Sequence, residues 1–128
     1  MKQTALTLLA LLLLVPTASA RPHPDRLGIC YLFKANKLTT RAPCVLTSGY
    51  GTGEQYLTLT LNNKEYDVEI NTTDDKAPPR LNGKPAIWYM RDASFLDIHK
   101  GPPDQGEEYV NCYKTKDAQT DICYLLVN

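Results

Sequence analysis

Histidine is scarce in this chain: there are two, His23 and His99. General-base chemistry therefore has few candidates. No G-x-S-x-G, H-E-x-x-H or phosphate-cradling glycine loop accompanies them, so the usual hydrolase and metalloprotease pairings have no carrier. His23 follows Pro22, which lacks the N–H that copper chelation at an amino terminus would deprotonate. Net charge is absent as well, with 14 basic against 14 acidic residues. Without a basic excess to neutralise phosphates, nucleic acid is not an expected partner. After Ala20 no apolar run is long enough to cross a bilayer, so membrane insertion is not expected. The four cysteines lack C-x2-C spacing, which argues against structural zinc. Asp74-Asp75 lacks the glycine and ligand spacing of a calcium loop. No cofactor, no metal and no enzymatic activity are expected.

The amino terminus is informative. Lys2, the apolar run Leu6 to Val15, Pro16 and Ala18-Ser19-Ala20 have the three parts of a secretory signal peptide. The expectation is a signal peptide over residues 1–20 and a periplasmic or secreted mature chain from Arg21. Loss of Lys2 would leave that chain with one acidic residue in excess. An even cysteine count in a small exported domain reads as two disulfides. Four cysteines allow three pairings. Hairpin geometry favours Cys30 with Cys44 and Cys112 with Cys123, because partners across a hairpin fall within disulfide reach.

Residues 21–27 hold two prolines and no apolar periodicity, and read as a loose lead-in. Residues 28–128 read as one β domain. Gly28 to Lys34 is apolar and aromatic, and Ala42 to Thr47 follows a turn at Ala35-Asn36-Lys37. Leu57, Leu59 and Leu61 alternate with Thr58 and Thr60, the period of a half-buried strand. Asn62-Asn63 suits a two-residue turn, since Asn tolerates positive φ. Tyr66, Val68 and Ile70 then alternate with Glu65, Asp67 and Glu69. Residues 71–85 read as a long loop, which includes the glycosylation sequon Asn71-Thr72-Thr73. Ala86 to Arg91, Phe95 to His99, Glu108 to Lys114 and Asp121 to Val127 complete the strands. Helical periodicity is absent. The predicted fold is all-β: a small antiparallel barrel or sandwich of seven to eight strands with two hairpin disulfides.

Three features offer contact surfaces. Ser48-Gly49-Tyr50-Gly51-Thr52-Gly53 is glycine-rich. It reads either as a hairpin connection or as a protruding loop tipped by Ser48, Tyr50 and Thr52. Lys114-Thr115-Lys116 sits at the predicted tip of the last hairpin, either as a solubilising turn or as a source of an ammonium for an acidic cleft. Eight tyrosines against two phenylalanines fit an interface as well as a small core. Trp88 and Tyr89 are the candidate stacking platform for a cell-wall glycan or another small ligand.

The order of a leading cysteine pair, a glycine-rich stretch, a Trp-containing strand and the terminal Asn111-Cys112-Tyr113 and Ile122-Cys123-Tyr124 motifs resembles small exported bacterial proteins of uncharacterised function. Ser48-Gly49 followed by Tyr56, with Tyr113-Lys114-Thr115-Lys116-Asp117, also resembles the periplasmic inhibitors of C-type lysozyme. That resemblance implies a small antiparallel barrel whose Ser48 and Lys116 enter an enzyme's active cleft. The expected function is an exported, non-enzymatic protein that inhibits or neutralises another protein, a hydrolase or a toxin, in the manner of an inhibitor or immunity protein. The alternative is a glycan-binding or small-ligand-binding module.

Overall fold

The computed structural model describes residues 21–127; the signal peptide expected over 1–20 lies outside them. Ten strands are present: β1 Arg21–Pro22, β2 Arg26–Lys34, β3 Lys37–Gly51, β4 Glu54–Leu61, β5 Lys64–Asn71, β6 Arg80–Leu81, β7 Lys84–Asp92, β8 Ile98–His99, β9 Tyr109–Thr115 and β10 Asp121–Leu126. All pair antiparallel in one sheet, in the order β1-β3-β2-β10-β9-β7-β6-β5-β4, with β8 on β7. Pairing of β3 with β4 closes the sheet into a ring. The barrel alternative is thus the observed one.

Positive φ sets the tight turns. Ala35 and Asn36, Asn62 and Asn63, and Asn82 and Gly83 all have φ between 51° and 78°. Two left-handed residues in a row match the twist of the flanking strands. These turns and the Lys116–Asp117 turn lie at one end of the barrel; the Thr52–Gly53 turn and the connections over 72–79 and 93–108 leave from the other.

Alternation then sorts the side chains onto two faces. The inner face is one core fed by every long strand of the ring, including Cys30, Cys44, Leu46, Leu59, Val68 and Ile122. Full burial of a side chain such as Leu59 stabilises by about 1.5–3 kcal/mol. A second core lies on the outer face of β2, β10 and β9, where Tyr31, Phe33, Val110, Cys112 and Cys123 pack under Tyr89 and Leu96. The disulfides Cys30–Cys44 and Cys112–Cys123 form as hairpin geometry favours, one in each core. Two disulfides indicate an oxidising compartment. No helix among the described residues is long and apolar enough to cross a membrane.

Four segments differ from the sequence expectations. The lead-in over 21–27 is tied down: Arg21 and Pro22 pair with Tyr50 and Gly49, and β2 already begins at Arg26. The His23 amide also donates to Ser48 O at 2.9 Å. Here β1 takes the edge of β3 that β2 has left, so two prolines did not prevent pairing. β3 continues from residue 47 through Gly51, so Ser48, Gly49 and Tyr50 are strand and only Thr52-Gly53 is turn. The expected loop over 71–85 contains β6, whose Leu81 is fully buried. Of the expected strand Phe95 to His99, only Ile98 and His99 pair, because Leu96 turns the chain at φ 63°.

Candidate functional site

The barrel is open at the end that carries Thr52-Gly53, and the sequence explains the opening. β6 pairs with β7 only at Lys84 and Pro85, and β8 pairs with it only at Met90 and Arg91. The segment leading into β6 contains Pro78 and Pro79, which have no N–H to continue a sheet. A cleft of about 430 Å³ therefore remains between β5 and β7. Trp88 forms one wall and is 51% exposed. Ile70, Ala77 and Pro79 line it, Tyr113 forms part of its wall, and Asn71 and Asp75 bring polar groups. Burial, aided by the neighbouring Tyr124, pushes the Tyr113 hydroxyl up to about 12, so it remains a neutral donor and acceptor.

A second cleft, of about 520 Å³, opens at the same end and is lined by His23, Pro24, Arg26, Ser48, Tyr50 and Gln55. Tyr50 is 47% exposed, and the His23 ring meets it edge-on at 5.1 Å. Cross-strand register links the clefts: Tyr50 is opposite Gln55, and Gln55 is opposite Ile70. One mouth thus brings together Ser48, Tyr50 and Trp88, which the sequence had singled out separately. β-Barrel mouths are favoured ligand sites.

Other expected pairings are not formed. Lys116 lies in the β9–β10 turn, at the barrel end opposite Ser48, so these two do not present one combined tip. Lys114 lies on β9, its Nζ 5.4 Å from the Tyr89 ring. Tyr89 follows Trp88 on β7 and so faces the other way; it is not part of the Trp88 platform. His99 donates through Nε2 to Pro102 O at 2.9 Å and rests on Tyr109. Among the described residues no cluster of three or more metal-ligating side chains occurs.

The outer face holds a second arrangement that sequence reasoning missed. Arg91 is 3% exposed. Its guanidinium donates to Tyr89 Oη, Leu96 O and Asn36 Oδ1, at 3.0–3.3 Å, and lies 3.6 Å from Asp121 Oδ2. Tyr89 Oη in turn donates to Asp121. Burial, then the bond to Asp121, raises the Tyr89 hydroxyl well above its ordinary range. The network ties the β2–β3 turn, β7, β10 and the segment after β7 together.

Above it stands Phe95, 82% exposed. Asp92 fixes the turn that carries it: its Oδ1 accepts from Phe95 N at 2.6 Å and its Oδ2 from Asp97 N at 3.1 Å. These bonds hold the Asp92 carboxyl below its ordinary range. Leu38 and Ile98 border a groove of about 420 Å³ beside Phe95, with Arg91 on its wall. Two sequence signals were available: an arginine directly after the apolar run Ile87 to Met90, and an Asp three residues before Phe95, the pattern of a side-chain-capped turn.

No protein-family model, curated protein or solved structure matches this chain.

Proposed function

We propose that the protein is an exported, non-enzymatic binding protein that neutralises another protein, and that Phe95 is its anchor. The observation that carries this reading is the 82% exposure of a phenylalanine on a turn held by both oxygens of Asp92. A rigid aromatic knob loses little conformational entropy on binding, and such anchors dominate interface energies. Leu38 and Ile98, each exposed by more than 40%, extend the apolar surface. The connection around it holds Asp97, Asp104, Glu107 and Glu108 against Lys100. A connection with this acidic excess suits a cationic partner and speeds encounter. A basic exported hydrolase such as a lysozyme, or a cationic toxin, has that character. The disulfides and the signal-like amino terminus support a periplasmic or secreted setting.

The test is calorimetric titration of the oxidised protein into a set of cationic peptidoglycan hydrolases, beside Phe95→Ala. The expected result is a salt-sensitive complex with one of them that Phe95→Ala weakens by at least about tenfold. A complex that Phe95→Ala leaves unchanged would remove Phe95 from the interface. Absence of any complex across the set would overturn the neutralising role.

A further inference from the structure

We propose that the barrel mouth binds an oligosaccharide carrying a carboxylate, with one sugar ring stacked on Trp88 and the acidic substituent held by Arg26. This site is separate from Phe95, which projects from the segment after β7 over the outer face. The two proposals therefore stand or fall independently.

The shape of the mouth selects an extended ligand. Tyr50, Gln55 and Ile70 form one cross-strand row, two strand spacings or about 10 Å long. Ile70 belongs to the cleft with Trp88, and Tyr50 and Gln55 to the cleft with Arg26. A ligand that fills both must be longer than a single ring. Both clefts open to solvent, which disfavours a lipid chain that needs enclosure.

The chemistry of the walls selects a polyhydroxylated one. Two half-exposed aromatic rings, Trp88 and Tyr50, offer flat apolar faces, and the C–H face of a pyranose matches them. Between and around these rings stand Ser48, Gln55, Asn71 and Asp75, a set of donors and acceptors suited to hydroxyl and acetamido groups. Asn71 is already oriented: its Oδ1 accepts from Thr73 N, Thr73 Oγ1 and Asp74 N at 2.8–3.1 Å. That leaves its Nδ2 group as the side chain's donor.

Charge is divided between the clefts. Arg26 lines one, with no carboxylate among the described residues of its walls; Asp75 lines the other. A carboxylate-bearing sugar therefore belongs beside Arg26, where a fork of guanidinium donors pairs with it, and a neutral sugar belongs on Trp88.

Trp88 is the sole tryptophan of the chain, so its fluorescence reports directly on the site. The probes are a peptidoglycan tetrasaccharide containing muramic acid, a tetragalacturonate and neutral chitotetraose. The expected result is a saturable Trp88 emission change with at least one acidic probe, and about tenfold weaker binding of chitotetraose. The acidic probe that binds tighter identifies the source as cell wall or uronic-acid polymer. Arg26→Gln should abolish the preference for acid while retaining chitotetraose binding. Trp88→Ala and Tyr50→Ala, read by calorimetry, should weaken all probes, with melting temperatures near that of the parent because both side chains are half-exposed. Phe95→Ala should change nothing. Equal binding of the three probes by the parent, or an acid preference that survives Arg26→Gln, would overturn the role of Arg26. No emission change and no heat with any probe at millimolar concentration would overturn the site.

Discussion

The guanidinium of Arg91 lies 3.6 Å from the carboxylate of Asp121, with both side chains about 95% buried. It also lies 3.8 Å from the centroid of the Phe33 ring. A charge so placed is tolerated only because the Tyr89 hydroxyl, two oxygens from other segments and an aromatic face surround it. Removing one partner strands the other. Arg91→Ala should therefore lower the unfolding free energy by about 3–5 kcal/mol, measured by urea denaturation. The double change Arg91→Met with Asp121→Leu should cost less than Arg91→Ala, because no buried charge is left unpaired. A double variant as unstable as the single would show that packing, not charge, governs the site.

Stability should also fall on the acid side. Asp117 is held at about 2, first by the Thr115 hydroxyl, then by Gln119 N and Lys84. Its ordinary value is near 4. A carboxyl with a lowered folded-state value stabilises the fold above its unfolded value and loses that contribution as pH falls toward the folded one. The window is thus about pH 4 to 2. Asp92, lowered by the Phe95, Asp97 and other backbone amides, acts in the same direction. Asp117→Asn should flatten the dependence of melting temperature on pH in this window and leave the slope above pH 5 unaltered. An unchanged acid slope would remove Asp117 from the linkage.

The turns show what was legible in the sequence and what was not. Asn62-Asn63 was readable because Asn accepts left-handed φ, and the alternating Leu and Tyr positions around it could bury only one way. Ala35-Asn36-Lys37 is turn-like between its flanking strands, yet an alanine at φ 51° carries no chemical signal of its own for that conformation. Left-handed geometry costs a residue with a Cβ about 1–2 kcal/mol. Ala35→Gly should therefore raise stability by about 0.5–1 kcal/mol, less than the full cost because glycine has more freedom to lose. The thermal midpoint reads this directly, and a fall would mean that the Ala35 side chain contributes contacts that outweigh its strain.

The mouth was only partly legible for a different reason. Ser48, Tyr50 and Trp88 each stood out by composition, but a glycine-rich stretch that pairs on both edges cannot be told from a loop without its partners. β1 supplied one of those partners from a segment with two prolines. Arg26 and Gln55 gave no signal, since their place in the mouth depends on ring closure between β3 and β4. Nor does local pattern show that Lys116 falls at the far end. Phe95 reads as strand because Leu96 and Ile98 beside it are apolar, whereas the bonds from Phe95 N and Asp97 N to Asp92 turn the chain there.

The two disulfides should behave differently when coupled to Arg91. Each closes a short segment, with sequence separations of 14 and 11 residues. On the loop-entropy account, removal of either should cost about 2–4 kcal/mol. Cys112 and Cys123 lie in the outer core with Phe33, on which Arg91 stacks. Cys30 and Cys44 lie in the inner core. Loss of the outer disulfide loosens the apolar floor beneath the Arg91 network, whereas loss of the inner one leaves that floor in place. A double-mutant cycle should therefore show Cys112→Ser/Cys123→Ser to be non-additive with Arg91→Ala by about 0.5–3 kcal/mol. Cys30→Ser/Cys44→Ser should be additive with it to within about 0.5 kcal/mol. Equal coupling of both disulfides to Arg91 would mean that the two cores unfold as one unit, and that the outer face is not a separately anchored platform for Phe95.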